Sequence, residues 1–226
     1  MRWTVVIAGA WWVALAQAGA AQAPLARVSG RITILEKRNK PSRDLGSAVV
    51  YLDGGAAPAR VTAVEIVIAD KEFVPRVVVV PVGSTVRFPN HDPFDHNVFS
   101  VSEGAHFDLG QYGRGEAKAW TFTTRGLVRV FCNVHPRMVA FVQVMPTRQY
   151  TQPGADGSFT LEDVPPGRYT LRVWHERSAE VARELVVGPA GVSDLEVELD
   201  ARGFRWLPHK NKYGDDYPTD AARERY

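Results

Sequence analysis

The sequence predicts an all-β protein, and three observations carry that prediction. Apolar residues recur with period two in short runs, as in "VSGRITIL" (Val28 to Leu35). Turn-forming residues interrupt these runs at short intervals, at "DGG", "VGS" and "VPPG". The middle of the chain holds no stretch with helical periodicity. Short strands with frequent turn signals indicate a β-sandwich.

The chain has 226 residues, enough for one large or two small domains. Its composition, 45% hydrophobic and 23% charged, is that of a globular protein. A net charge of +2 without any block of like charge gives no electrostatic case for nucleic acid.

Residues 1–20 read as an export signal, with Arg2 before a short apolar stretch (Thr4 to Ala16) and small residues following. Cleavage after Ala18 or Ala20 fits those small residues; an uncleaved anchor is the alternative. The apolar run is short for a bilayer span. Val28, Ile32 and Ile34 then share one face of a strand. "KRNKPSRD" is a polar loop, and "SAVVYLDGG" is a short strand ending in a turn. A second block begins near Val61. It runs through a strand to Ile68, a break at Val74-Pro75, a Val-rich strand, and a strand over Thr85–Phe88. "HNVFSV" is the next strand. "FDLGQYGRG" reads as a Gly-rich loop, and "AKAWTFTT", "GLVRVFC" and "AFVQVM" as strands. In the third block "DGSFTLEDVPPGRYTLRVW" is a hairpin, followed by strands in "ARELVVG" and "SDLEVELD". The tail, 201–226, has no clear period and reads as an irregular, partly flexible extension.

The stretch "FCNVHPRM" holds the one cysteine of the chain. Export makes an unpaired cysteine unusual. Val128, Val130 and Cys132 share the buried face of their strand, so Cys132 points inward. A five-residue loop, Asn133 to Arg137, then carries His135 and leads to Met138. "DHNVFS" offers His96 at the head of another strand. One thiolate, two imidazoles and a weak axial thioether form the trigonal ligand set of blue copper. Two histidines and a cysteine would also bind zinc; the methionine argues for copper. A second site at Glu103, His106 and Asp108 is a weaker candidate. His91, His175 and His209 read as ordinary surface or loop residues.

From about Val61 to Met145 the chain resembles the cupredoxins, and within them the amicyanins. The carrying residues are Cys132, His135, Pro136 and Met138 at Cys-x-x-His-x-x-Met spacing, and "HNV" at His96–Val98. The resemblance implies a Greek-key β-sandwich over 58–147 and one type 1 copper. His96 and His135 would bind through Nδ1, Cys132 through sulfur, and Met138 axially. It also implies that Asn97 ties the two ligand segments together. Asn133 stands where the family commonly has Ser or Thr.

The flanks resemble a second family. "VSGRITIL", "SAVVYL" and "DGSFTLEDVPPGRYTLRVW" are similar to the carboxypeptidase regulatory-like domain, a small transthyretin-like β-sandwich. The expected organisation is one such sandwich from 27–57 and 148–200, with the cupredoxin inserted in one of its loops. The alternative adds Val28–Leu52 to the cupredoxin sheets. Trp174 reads as a core residue. No HExxH and no nucleophile elbow occurs, and no His-x-His or His-Cys-His marks a further copper.

The resulting expectation is an exported, non-enzymatic electron carrier. Its partners would be periplasmic redox proteins, a dehydrogenase as donor or a cytochrome as acceptor, meeting an apolar patch of Pro93, Phe94, His135 and Pro136. Copper delivery or storage is the alternative, weakened by a count of three methionines.

Overall fold

The structure is a computed structural model that describes residues 24–55 and 58–217. The expected export signal lies outside the described residues. Among the described residues no helix is long and apolar enough to cross a membrane.

The chain is all-β, and its strands form two sandwiches with separate cores. The outer one begins with β1 (Ala26–Glu36), β2 (Lys40–Pro41) and β3 (Val49–Asp53). The inner one follows with β4 (Ala63–Glu65), β5 (Val67–Ala69), β6 (Glu72–Val74), β7 (Val77–Pro81), β8 (Ser84–Pro89), β9 (His96–Ser102), β10 (Ala105–Tyr112), β11 (Ala117–Phe122), β12 (Gly126–Phe131) and β13 (Val139–Met145). The chain then returns to the outer sandwich with β14 (Tyr150–Thr151), β15 (Ser158–Val164), β16 (Gly167–Trp174), β17 (Val181–Val187) and β18 (Val192–Asp200).

The outer sandwich packs a β15-β1-β18 sheet, with β2 beside β1, over a β14-β3-β16-β17 sheet. Alternation explains the packing: Val28, Ile32 and Ile34 of β1 and Leu161, Leu171 and Leu199 are all buried in one core. Gly30 lets β18 run close beside β1, because a Cβ there would collide with the carbonyl oxygen of Leu195. At the junction Tyr150 pairs with Tyr51 and Thr151 with Val50. The chain therefore leaves the outer sheet and re-enters it on a neighbouring strand. Both ends of the inner sandwich lie side by side, the geometry that an inserted domain needs.

The inner sandwich has a β10-β9-β12-β13-β7 sheet and a β11-β8-β4 sheet. Its core includes Ile66, Phe88, Val98, Phe122, Val130 and Val142. Val77 and Phe141 of this unit meet Val49 of the other in a small shared cluster. Arg76 clamps Glu176 through two hydrogen bonds of 2.7 and 2.8 Å across the same seam. Trp174, expected in a core, instead lies in this seam with its ring 5.3 Å from Phe141.

Two other local expectations change. "FDLGQYG" is not a loop: most of it lies in β10, paired with β9. The pairing shifts between Asp108 and Gln111, where Gly110 takes φ +70°. The glycine thus marks a bulge rather than a strand end. The segment before Pro75 is a hairpin of β5 and β6, turned by Asp70 and Lys71 at φ +54° and +59°. That turn proves central to the site.

Candidate metal centre

Cys132 follows the last residue of β12, whose inward face also carries Val128 and Val130. All three are buried, so strand alternation alone aims the sulfur into the core. His96 opens β9 and is wholly buried. The ligand loop closes through two backbone bonds: Met138 N–H donates to His135 O, and Cys132 N–H donates to Met138 O. The structure brings His96, Cys132 and His135 to one point, with their ligand atoms within 4.8 Å of one another. Met138 is buried in the same core cluster as Cys132.

The spacing suits a bound ion. Cys132 Sγ lies 3.7 Å from His96 Nδ1 and 3.8 Å from His135 Nδ1. An ion about 2.3 Å from sulfur and about 2.0 Å from nitrogen, at a trigonal angle of about 120°, would set those atoms about 3.7 Å apart. Soft thiolate and thioether with borderline imidazole form a donor set that favours copper.

The surroundings fix the donors. Asp92 Oδ2 lies 2.8 Å from His96 Nε2. That nitrogen then carries the proton and donates it to the carboxylate, which leaves the Nδ1 lone pair facing the sulfur. The backbone N–H groups of Asp70 and Lys71 donate to the two oxygens of Asp92 at 2.7 and 2.9 Å. The β5–β6 turn is thus what holds the carboxylate. Burial alone would raise the Asp92 pKa, but these N–H donors and His96 pull it below the ordinary value. Burial pushes His96 down against the pull of Asp92. Burial also pushes the Cys132 thiol up, against N–H groups of Asn97, Val134 and His135. Without metal, burial therefore favours a neutral His96 imidazole and a neutral Cys132 thiol, and a cation would displace the thiol proton.

One expectation needs correction here. The site does not open to solvent through His135. That residue is only 4% exposed, and Pro136 is buried too. The tail lies against the same loop, its segment 204–209 flanking a crevice that Phe131, Pro136 and Val139 also line. Asn97 does tie the two segments, through its backbone N–H toward the Cys132 sulfur, while its side-chain Nδ2 donates to Asp108 at 2.7 Å. Phe94 remains accessible at 37%, and its ring touches both imidazoles, with centroids 5.2 Å from His96 and 5.7 Å from His135.

The second candidate site does not assemble. Asp108 accepts hydrogen bonds from Asn97, Gly110 and Lys212. Among the described residues, His96, Cys132 and His135 are the one group of three or more His, Cys, Asp or Glu placed to share an ion. His91 and His106 are exposed, as expected. His175 is fully buried near Asp44, and His209 is half-buried and stacked on Phe131; both lie outside the strands, as expected. Sequence reasoning missed Asp92, Lys212 and Tyr217. Asp92 alone left a signal, a carboxylate four residues before a ligand histidine.

No family model matches the sequence, and no curated protein matches it. Solved structures do. A Cu-containing nitrite reductase from Thermus scotoductus SA-01 is 29% identical, with a TM-score of 0.34; the match covers 41% of this chain and 24% of that one. Amicyanin from Paracoccus versutus is 28% identical over 37% of this chain and 81% of its own, with a TM-score of 0.34. A methionine-to-alanine mutant of amicyanin in the Cu(I) form is 25% identical over 42% of this chain and 98% of its own, with a TM-score of 0.35.

Proposed function

We propose that the chain is an exported copper protein of the cupredoxin kind, and that it carries single electrons between periplasmic redox proteins without catalysing bond chemistry. The carrying observation is the convergence of Cys132 Sγ with the Nδ1 atoms of His96 and His135 at 3.7 and 3.8 Å. Met138 is the axial donor in this reading. Bound copper supplies a one-electron couple. The protein's own part is to hold the donors in place, so that little rearranges when the charge changes.

The donors are held from several sides. Asp92 orients His96, and the backbone bonds among Cys132, His135 and Met138 brace the loop. The four ligand side chains lie at 0–4% exposure. Such burial excludes water, and it disfavours the alternative of copper delivery or storage, which needs a site that releases its ion. Electrons enter and leave through Phe94, the exposed ring in contact with both imidazoles. A dehydrogenase donor or a cytochrome acceptor would meet the protein there, over a small interface of the kind weak redox encounters use. The outer sandwich, which resembles the carboxypeptidase regulatory-like domain, serves as a scaffold. It anchors the inner unit at the Phe141–Trp174 and Arg76–Glu176 seam.

The test is reconstitution with copper(II). The intact protein should bind one ion per chain and show an intense visible thiolate-to-copper band, which Cys132→Ser abolishes. Preferential zinc binding with no colour would refute the proposal.

A further inference from the structure

The tail does not hang free: three of its side chains or backbone groups reach the residues beside the ligand cysteine. Tyr217 donates its hydroxyl hydrogen to the carbonyl of Cys132 at 3.0 Å. Lys212 N–H donates to Asn133 Oδ1 at 2.9 Å. The His209 ring stacks on Phe131, with centroids 4.3 Å apart and planes at 27°. Phe131, Cys132 and Asn133 are consecutive, so the tail grips the start of the ligand loop at every position.

Lys212 also reaches the other ligand segment. Its ammonium lies 2.6 Å from Asp108 Oδ2, while Asp108 Oδ1 accepts from Asn97, the residue after the ligand His96. A chain of contacts therefore runs Asn97, Asp108, Lys212, Asn133. It joins the His96 segment to the Cys132 segment through a residue of the tail. No direct side-chain bond between Asn97 and Asn133 takes that role. The Asp108 end is firm: although burial works against it, Lys212, Asn97 and Gly110 hold the carboxyl below its ordinary pKa.

We infer that the tail over 209–217 is a working part of the metal centre: Lys212 is a positioning residue that links the two ligand-bearing segments, and Tyr217 with His209 seals the Cys132 side against solvent. The inference deepens the copper reading, and for the role of these residues toward copper it rests on that reading. The sealing itself is a property of the metal-free chain. It also explains why Phe94, on the other side of the imidazoles, is left as the open edge.

The experiment reads the metal-free full chain first. Alkylation of Cys132 by iodoacetamide is followed in the native protein, in Lys212→Met, in Tyr217→Phe, in both combined with His209→Ala, and in Leu207→Ser as an exposed-tail control. The combined variant should be alkylated about tenfold faster or more, as the loop opens without its hydrogen bonds. Each single variant should show part of that gain, Lys212→Arg should restore most of the protection, and Leu207→Ser should match the native rate. In copper-loaded protein, Lys212→Met and Tyr217→Phe should shift the visible band while thermal unfolding of the apo-protein changes little. Native alkylation rates in both Lys212→Met and Tyr217→Phe would overturn the inference. Those two variants each alter a single tail side chain and leave the buried core untouched, so their result stands even if the combined variant unfolds. A native protein that fails to take up copper, with alkylation still accelerated in the variants, would refute the copper reading and leave the seal standing.

Discussion

Asp92 Oδ2 and His96 Nε2 stand 2.8 Å apart, both buried, with the carboxylate held in turn by two backbone N–H groups of the β5–β6 turn. The pair decides which nitrogen of His96 is left to bind a metal. It would also place a negative charge one imidazole away from an ion bound at Nδ1.

Asp92→Asn keeps the shape and removes the charge. Copper affinity should fall about tenfold to a hundredfold, the usual cost of losing such a partner. The midpoint potential should rise, because the carboxylate no longer favours the more positive ion. Competition with a chelator and a redox titration read the two effects. An unchanged affinity together with an unchanged potential would contradict the role given to Asp92.

Phe94→Asp should slow electron exchange with the partner and leave the visible band nearly intact. The side chain is accessible and is not a ligand. Pro136→Asp is expected to behave differently, since Pro136 is buried beside Phe131 and the tail. An uncompensated carboxylate there should lower stability and disturb the band. Stopped-flow rates and thermal melts separate the two outcomes; equal exchange rates in Phe94→Asp and the native protein would remove Phe94 from the route.

His175 gives the outer sandwich a pH dependence. It is fully buried, with Asp44, Glu176 and Arg177 as its charged neighbours. Burial, and then the Arg177 charge, depress its pKa below the ordinary 6.5. The unfolded chain thus takes up a proton that the folded chain refuses as pH falls below 6.5. Stability is fully present above that value and is lost progressively below it, down to the folded pKa. Melts of metal-free protein at about pH 7.5 and about pH 5.5 should show this loss. In His175→Gln the difference between the two should shrink; an identical difference would assign the effect elsewhere.

Much of this was legible before any coordinates. Cys132, His135 and Met138 lie within seven residues of one another, so a single strand end and one tight loop suffice to bring Cys132 and His135 together and to bury Met138 in the same core. His96 was legible because it opens a strand. Alternation placed Val28, Ile32 and Ile34 on one buried face. What escaped was made by single polar contacts between distant segments. Lys212 lies 79 residues beyond its partner Asn133, and Tyr217 lies 85 beyond Cys132. Isolated contacts have no period, so the tail read as loose. β10 escaped because Gly110 looked like a turn signal and was a bulge. His135 seemed exposed because the ligand loop was considered without what covers it.

The most direct measurement is the visible absorption spectrum of the purified full-length protein after one equivalent of copper(II), beside that of Cys132→Ser. The account requires an intense thiolate-to-copper(II) band in the native protein, saturating at one copper per chain, bleached by a one-electron reductant and absent from the variant. A colourless native protein, or a band that survives Cys132→Ser, would contradict it.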